Sequence, residues 1–171
     1  MYKKASLVLL AVLAVYTSTV NAQDTDPNLG IIPAPVLLKK ASGQFVLSQE
    51  TTVQADSPSN KAVLFFKDYL AKNQAYNKPV AVKSSRSSNV ITLTAAGTDG
   101  LPAEGYRLTI TPQQVIVAGK GAGLFYGVQT LLQLMPAEHA ATIKLPAVQV
   151  EDYPRFGYRG QCLMLAAIFL E

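Results

Sequence analysis

The 171-residue sequence predicts an α+β domain, with a largely antiparallel sheet and two helices packed on one face. Three observations lead to that class. Stretches with strand-like alternation outnumber those with helical spacing, and turn-rich segments join most of them. Two stretches repeat apolar residues every third and fourth position. Hydrophobic residues make up 49% of the chain, enough to bury one core, while the length suits one domain and not two.

The first residues, MYKKASLVLLAVLAVYTSTVNA, place Lys3 and Lys4 before an apolar run from Leu7 to Val15 and end on Val20, Asn21 and Ala22. That is the charge, apolar core and small-residue cleavage site of a signal peptide over residues 1–22. The run falls short of the roughly 20 residues a spanning helix needs, and no Cys stands near the cleavage point to take a lipid. Export to the periplasm or the extracellular space is expected, with no membrane attachment after cleavage. Two positive charges of the formal +4 belong to the leader, so the basic balance is no argument for nucleic acid.

Residues 23–30 form a polar, turn-rich linker, and the periodic domain runs from 31 to 152. QFVLSQETTVQA offers two short strands around a polar turn. In the first helix Ser57 can cap and Pro58 fits the first helical position, followed by Ala62, Val63, Phe66, Tyr69 and Leu70 on one face. Asn77 and Pro79 end it. NVITLTAA is a β-branched strand, and GTDGLP a turn. Tyr106, Leu108 and Ile110 alternate with Arg107 and Thr109, and after Pro112 the pattern resumes at Val115 and Val117, giving a hairpin with one buried face. A second helix carries Leu124, Val128, Leu131, Leu132 and Met135 toward the core, with Pro136 just past its end. IKLPAVQVED is the last strand.

Few stretches carry chemistry. A metal cluster or a nucleophile–histidine set would have to pass through the single histidine, His139, and the single cysteine, Cys162, which read as a surface-loop residue and a small buried hydrophobe, and no cofactor is implied. GKGAG, between a strand and a helix, has the look of a phosphate-binding turn. The hairpin before it and the lack of an acidic residue at a strand end about 20 positions on argue against a dinucleotide fold, and close helix-to-sheet packing at Gly123 and Gly127 is the favoured reading. Glu151 and Asp152 are the one adjacent acidic pair, but strand neighbours point to opposite faces and cannot flank one glycosidic bond. Solvation or pairing with Arg155 is their expected role. Arg159 presents a planar fork of donors beside Phe156 and Tyr158, suited either to vicinal sugar hydroxyls or to an ion pair with Asp152 or Glu151.

The order IIPAPVLLKKASGQFVLSQETTV, EGYRLTITPQQVIVAGKGAGLFYGVQTLLQL and VEDYPRFGYRG, from about Ile31 to Gly160, resembles the start of family 20 glycoside hydrolases, the β-N-acetylhexosaminidases. The resemblance implies a non-catalytic N-terminal α+β domain ahead of a (β/α)₈ barrel. PRFGYRG leads into the barrel's first strand, and the arginine at the position of Arg159 binds hydroxyls of the terminal N-acetylhexosamine of a glycan. The family's catalysis is substrate-assisted: the acetamido oxygen attacks the anomeric carbon, a Glu serves as general acid/base, and a neighbouring Asp orients the acetamido group. That Asp-Glu pair belongs to the barrel and is not in this chain. Residues 153–171 read as a truncated start of the barrel, because QCLMLAAIFLE lacks the aspartate that the family carries after the arginine and glycine.

The expectation is a fragment of a β-N-acetylhexosaminidase, inactive alone, in which Arg159 keeps the family's residue without the family's pocket. An alternative reading is a stand-alone exported glycan-binding or scaffolding module, suggested by Tyr153, Phe156 and Tyr158.

Overall fold

The computed structural model describes residues 29–74, 76–82, 88–136, 140 and 142–156. Seven strands form one sheet: β1 Leu37–Leu47, β2 Thr52–Ala55, β3 Ala81–Val82, β4 Val90–Thr94, β5 Tyr106–Ile110, β6 Gln114–Gly119 and β7 Ile143–Asp152. Their spatial order is β1-β7-β5-β6-β4-β2-β3. Helix α1, Lys61–Gln74, follows β2, and helix α2, Ala122–Gln133, follows β6. The α+β class and the two helices are as the sequence predicts.

The long ladders are antiparallel. They join β1 to β7, β7 to β5, and β5 to β6. Beyond β6 the shorter pairings β6–β4, β4–β2 and β2–β3 are parallel. Side-chain alternation sets the faces. Leu108 stands opposite Val117 and Val150, Val117 opposite Leu93, and Leu93 opposite Ala55, so one buried apolar row crosses five strands beneath the helices. On the other face the row includes Arg107, Glu151 and Ala118. All five residues of β4 are buried, as a strand with parallel neighbours on both sides and no edge would be.

Two local readings need correction. QFVLSQETTVQA is not a self-contained strand pair: β1 begins seven residues earlier, at Leu37, and β1 and β2 do not pair. On a flat sheet their five strand spacings would separate them by about 24 Å. The Ser48–Thr51 connection spans at most about 18 Å, so the sheet must curl. The curl lies where Gln44–Leu47 and Ile143–Pro146 pair with each other beyond the end of the β7–β5 ladder. A register shift between Lys40 and Gln44 starts it. There Gly43 has φ 98°, and a Cβ would stand 2.6 Å from Cγ of Pro112. Phe45, Leu47, Ile143 and Leu145 are consequently buried in the common core with Phe66 and Leu70 of α1.

The second correction concerns the start of α1. Asn60 is the cap: its Oδ1 accepts the Ala62 N–H at 2.9 Å. Ser57 instead opens a preceding turn through its carbonyl, which accepts the Asn60 N–H, and Pro58 lies within that turn. One element was not read from the sequence: β3 is a two-residue edge strand with no pattern long enough to read.

Candidate functional site

A concavity of about 530 Å³ lies where the domain's first and last segments meet beside α2. Ile31–Ala34 form one wall, Tyr153–Phe156 another, and Tyr126, Gln129 and Gln133 of α2 the floor. The sheet order produces this meeting, because β1 and β7 are antiparallel neighbours and the start of one lies beside the end of the other.

Hydrogen bonds lock the two segments together. The Gln133 side chain, on the last residue of α2, accepts the Ile32 N–H at 2.7 Å and donates to the Ile32 carbonyl at 3.1 Å. Asp152 Oδ1 accepts the Val36 N–H, and Arg155 Nη2 donates to the Ala34 carbonyl, both at 3.2 Å. At the inner end, the Tyr106 hydroxyl and Thr130 Oγ1 share a buried 2.6 Å hydrogen bond. Burial pushes the Tyr106 phenol up to about 12; the Thr130 bond lowers it, and the negative charge of Asp152 raises it further.

Gln133, Asp152 and Arg155 are therefore engaged in pinning backbone, whereas the rim carries exposed apolar residues. Ile32 is 76% exposed and Phe156 74%. Of the aromatic residues the sequence singled out, Tyr153 and Phe156 both line this groove. Arg159, Tyr158, Cys162 and His139 lie outside the described residues, as does the leader. Glu151 and Asp152 part company as expected for strand neighbours. Glu151, however, pairs with Arg107 at 2.7 Å and not with Arg155. The same arginine donates to the carbonyls of Gly97 and Asp99, closing the turn before β5. The roles of Gln133 and Ile32 escaped the sequence reading, since nothing local signals a bond across 101 positions.

The glycine loop resolves in favour of packing. A Cβ on Gly123 would overlap the Gly105 carbonyl oxygen, and one on Gly127 would come within 2.6 Å of Val117 Cγ1. These glycines let α2 lie directly on β5 and β6. Beside the loop is a crevice of only about 150 Å³, in which Asp56 accepts from Thr94 Oγ1 and the Ala95 N–H. Its one carboxylate would oppose a phosphate. Among the described residues no group of three or more His, Cys, Asp or Glu could hold a metal ion, and no helix is long and apolar enough to cross a membrane.

Residues 28–153 match the family described as glycosyl hydrolase family 20, domain 2. A β-hexosaminidase of Porphyromonas gingivalis is 31% identical over 159 residues, which cover 88% of this chain and 20% of that protein. A β-N-acetylhexosaminidase of Cellulomonas fimi is 34% identical over 149 residues, 84% of this chain and 30% of that one. Among solved structures, the Streptomyces plicatus N-acetyl-β-hexosaminidase superposes with a TM-score of 0.63 at 29% identity, covering 79% of this chain and 28% of that chain. This chain thus spans less than a third of each of these relatives.

Proposed function

Because the chain belongs to glycosyl hydrolase family 20, through the family's second domain, we propose that it is the non-catalytic N-terminal domain of an exported β-N-acetylhexosaminidase and has no hydrolytic activity by itself. The parent reaction is the removal of terminal non-reducing N-acetylhexosamine from glycans by substrate-assisted catalysis. The observation that carries the reading is the extent of the family match: residues 28–153 take in both helices and all seven strands. The site geometry is in keeping with it, since Gln133, Asp152 and Arg155 in the groove hold backbone of the domain itself. Arg159 contributes a substrate contact in the parent enzyme, and the leader directs export.

Two measurements test this. The purified 171-residue chain is expected to release no chromophore from a chromogenic N-acetyl-β-glucosaminide above background; clear turnover would sink the proposal. An antibody against residues 31–150 is expected to detect, in the source cells, a hexosaminidase several times larger than 18.3 kDa.

The position of Tyr153 and Phe156 in the groove favours, as a second reading, a glycan-binding module. It requires tyrosine fluorescence or amide resonances to respond to N-acetylglucosamine oligomers. No response is expected, because sugar recognition needs free donors and acceptors, and Gln133, Asp152 and Arg155 in the groove already hold backbone.

A further inference from the structure

We propose that Arg155 is a positioning residue for the substrate contact at Arg159: it closes a clamp that fixes how the chain leaves the domain. The proposal rests on the enzyme assignment above. Every second residue of the first segment is held. Ile32 is bound through both its N–H and its carbonyl by the Gln133 side chain, Ala34 through its carbonyl by Arg155 Nη2, and Val36 through its N–H by Asp152 Oδ1. Gln133 ends α2 and Asp152 ends β7, while Arg155 follows just after. The first segment is thus a splint laid between a helix and the departing chain.

The place where the splint acts gives it this role. Among the described residues the ladder of β7 ends at Asp152, so past that point the sheet no longer sets the direction of the chain. Pro154, with its fixed φ, and the bond from Arg155 to Ala34 set it instead. Arg159 follows Arg155 by four residues, at most about 14 Å of extended chain, so slack at Arg155 is passed on over a short distance. Recognition of two neighbouring hydroxyls by a guanidinium requires both to be met at once, and a displacement of about 1 Å loses that match. The Arg155 side chain is itself exposed and makes its bond at the surface, a position that contributes little to the core.

The test is steady-state hydrolysis of a chromogenic N-acetyl-β-glucosaminide by the native gene product and its variants, each with a thermal melt. Arg155→Ala is expected to raise KM about ten-fold while kcat stays within roughly two-fold, since contacts to the sugar hydroxyls are made before and during reaction alike. The melting temperature should move by no more than about 2 °C. Arg155→Lys, which can still donate to the Ala34 carbonyl, should recover most of the KM. In an Arg159→Lys background Arg155→Ala should add little, because it acts through Arg159. Gln133→Glu keeps the outline of the side chain but cannot donate to the Ile32 carbonyl, and it should raise KM in the same direction. An unchanged KM in either variant overturns the proposal. So does a fall in kcat that tracks a lowered melting temperature, which assigns Arg155 to stability, or full additivity with Arg159→Lys, which makes the two arginines independent. A native product without hydrolysis refutes the enzyme assignment and this proposal with it, whereas hydrolysis with an unmoved KM refutes the proposal alone.

Discussion

Tyr106 and Thr130 form a pair whose loss can be measured directly. Both are buried, and each satisfies the other's hydroxyl. Tyr106→Phe should cost about 1–2 kcal/mol, because it leaves Thr130 Oγ1 without its tyrosine partner, and urea denaturation followed by circular dichroism checks it. The raised phenol also sets an alkaline limit. An acid whose folded pKa exceeds its unfolded value holds its proton more tightly in the folded state. Its stabilising contribution is complete below about pH 10 and is lost as pH rises from there through about 12. Tyr76, buried and donating to the Thr51 carbonyl at 2.6 Å, is shifted the same way, chiefly by burial. Phenolate absorbance should show these two among the eight tyrosines ionising only with unfolding. The glycines admit a third test. Gly123→Ala should destabilise by about 1–3 kcal/mol through overlap with the Gly105 carbonyl, with adenine nucleotides producing no thermal shift before or after. The sequence already pointed to packing at Gly123 and Gly127, because a hairpin precedes them. What α2 packs against depends on β5 folding beneath it.

At the level of elements, the cap of α1 separates two adjacent candidates. Asn60→Ala should cost about 1 kcal/mol, while Ser57→Ala should cost far less, since the Ser57 hydroxyl meets only the Ser59 hydroxyl at 3.4 Å. Thermal melts of the two variants decide between them. The bridge between Arg107 and Glu151 couples β5 to β7, but both side chains are about a third exposed. A double-mutant cycle should therefore return about 0.5–1 kcal/mol, declining as salt is added. Elements with strong periodicity were legible, and IKLPAVQVED matches β7 residue for residue. The early part of β1 was not legible. Residues 37–44 are all at least partly exposed, so they show no alternation of buried and polar positions; pairing with β7 makes them a strand.

For the whole molecule, composition and pattern were enough for the class, and the long ladders are antiparallel as expected. The parallel half of the sheet was not readable, because each parallel pair depends on which strands α1 and the β5–β6 hairpin bring together. The groove was hidden for the same reason. Tyr153 and Phe156 advertised themselves as aromatic residues, whereas Gln133 acquires its role only when Ile32 arrives beside it. The site was thus visible as residue types and invisible as an arrangement.

The ladder between β1 and β7 has a consequence for the time course of folding. It joins residues about a hundred positions apart, from Leu47 with Ile143 to Leu37 with Glu151. While the polypeptide is being synthesised, β1 has no partner until nearly the whole domain has emerged, and Phe45 and Leu47 wait without their core. Contacts this remote carry a large loop-closure cost and form slowly, so the interval before β7 appears is when the chain is most exposed to non-native association. Chains stopped a few residues short of Ile143 should stay bound to a holding chaperone, and chains extended past Asp152 should be released.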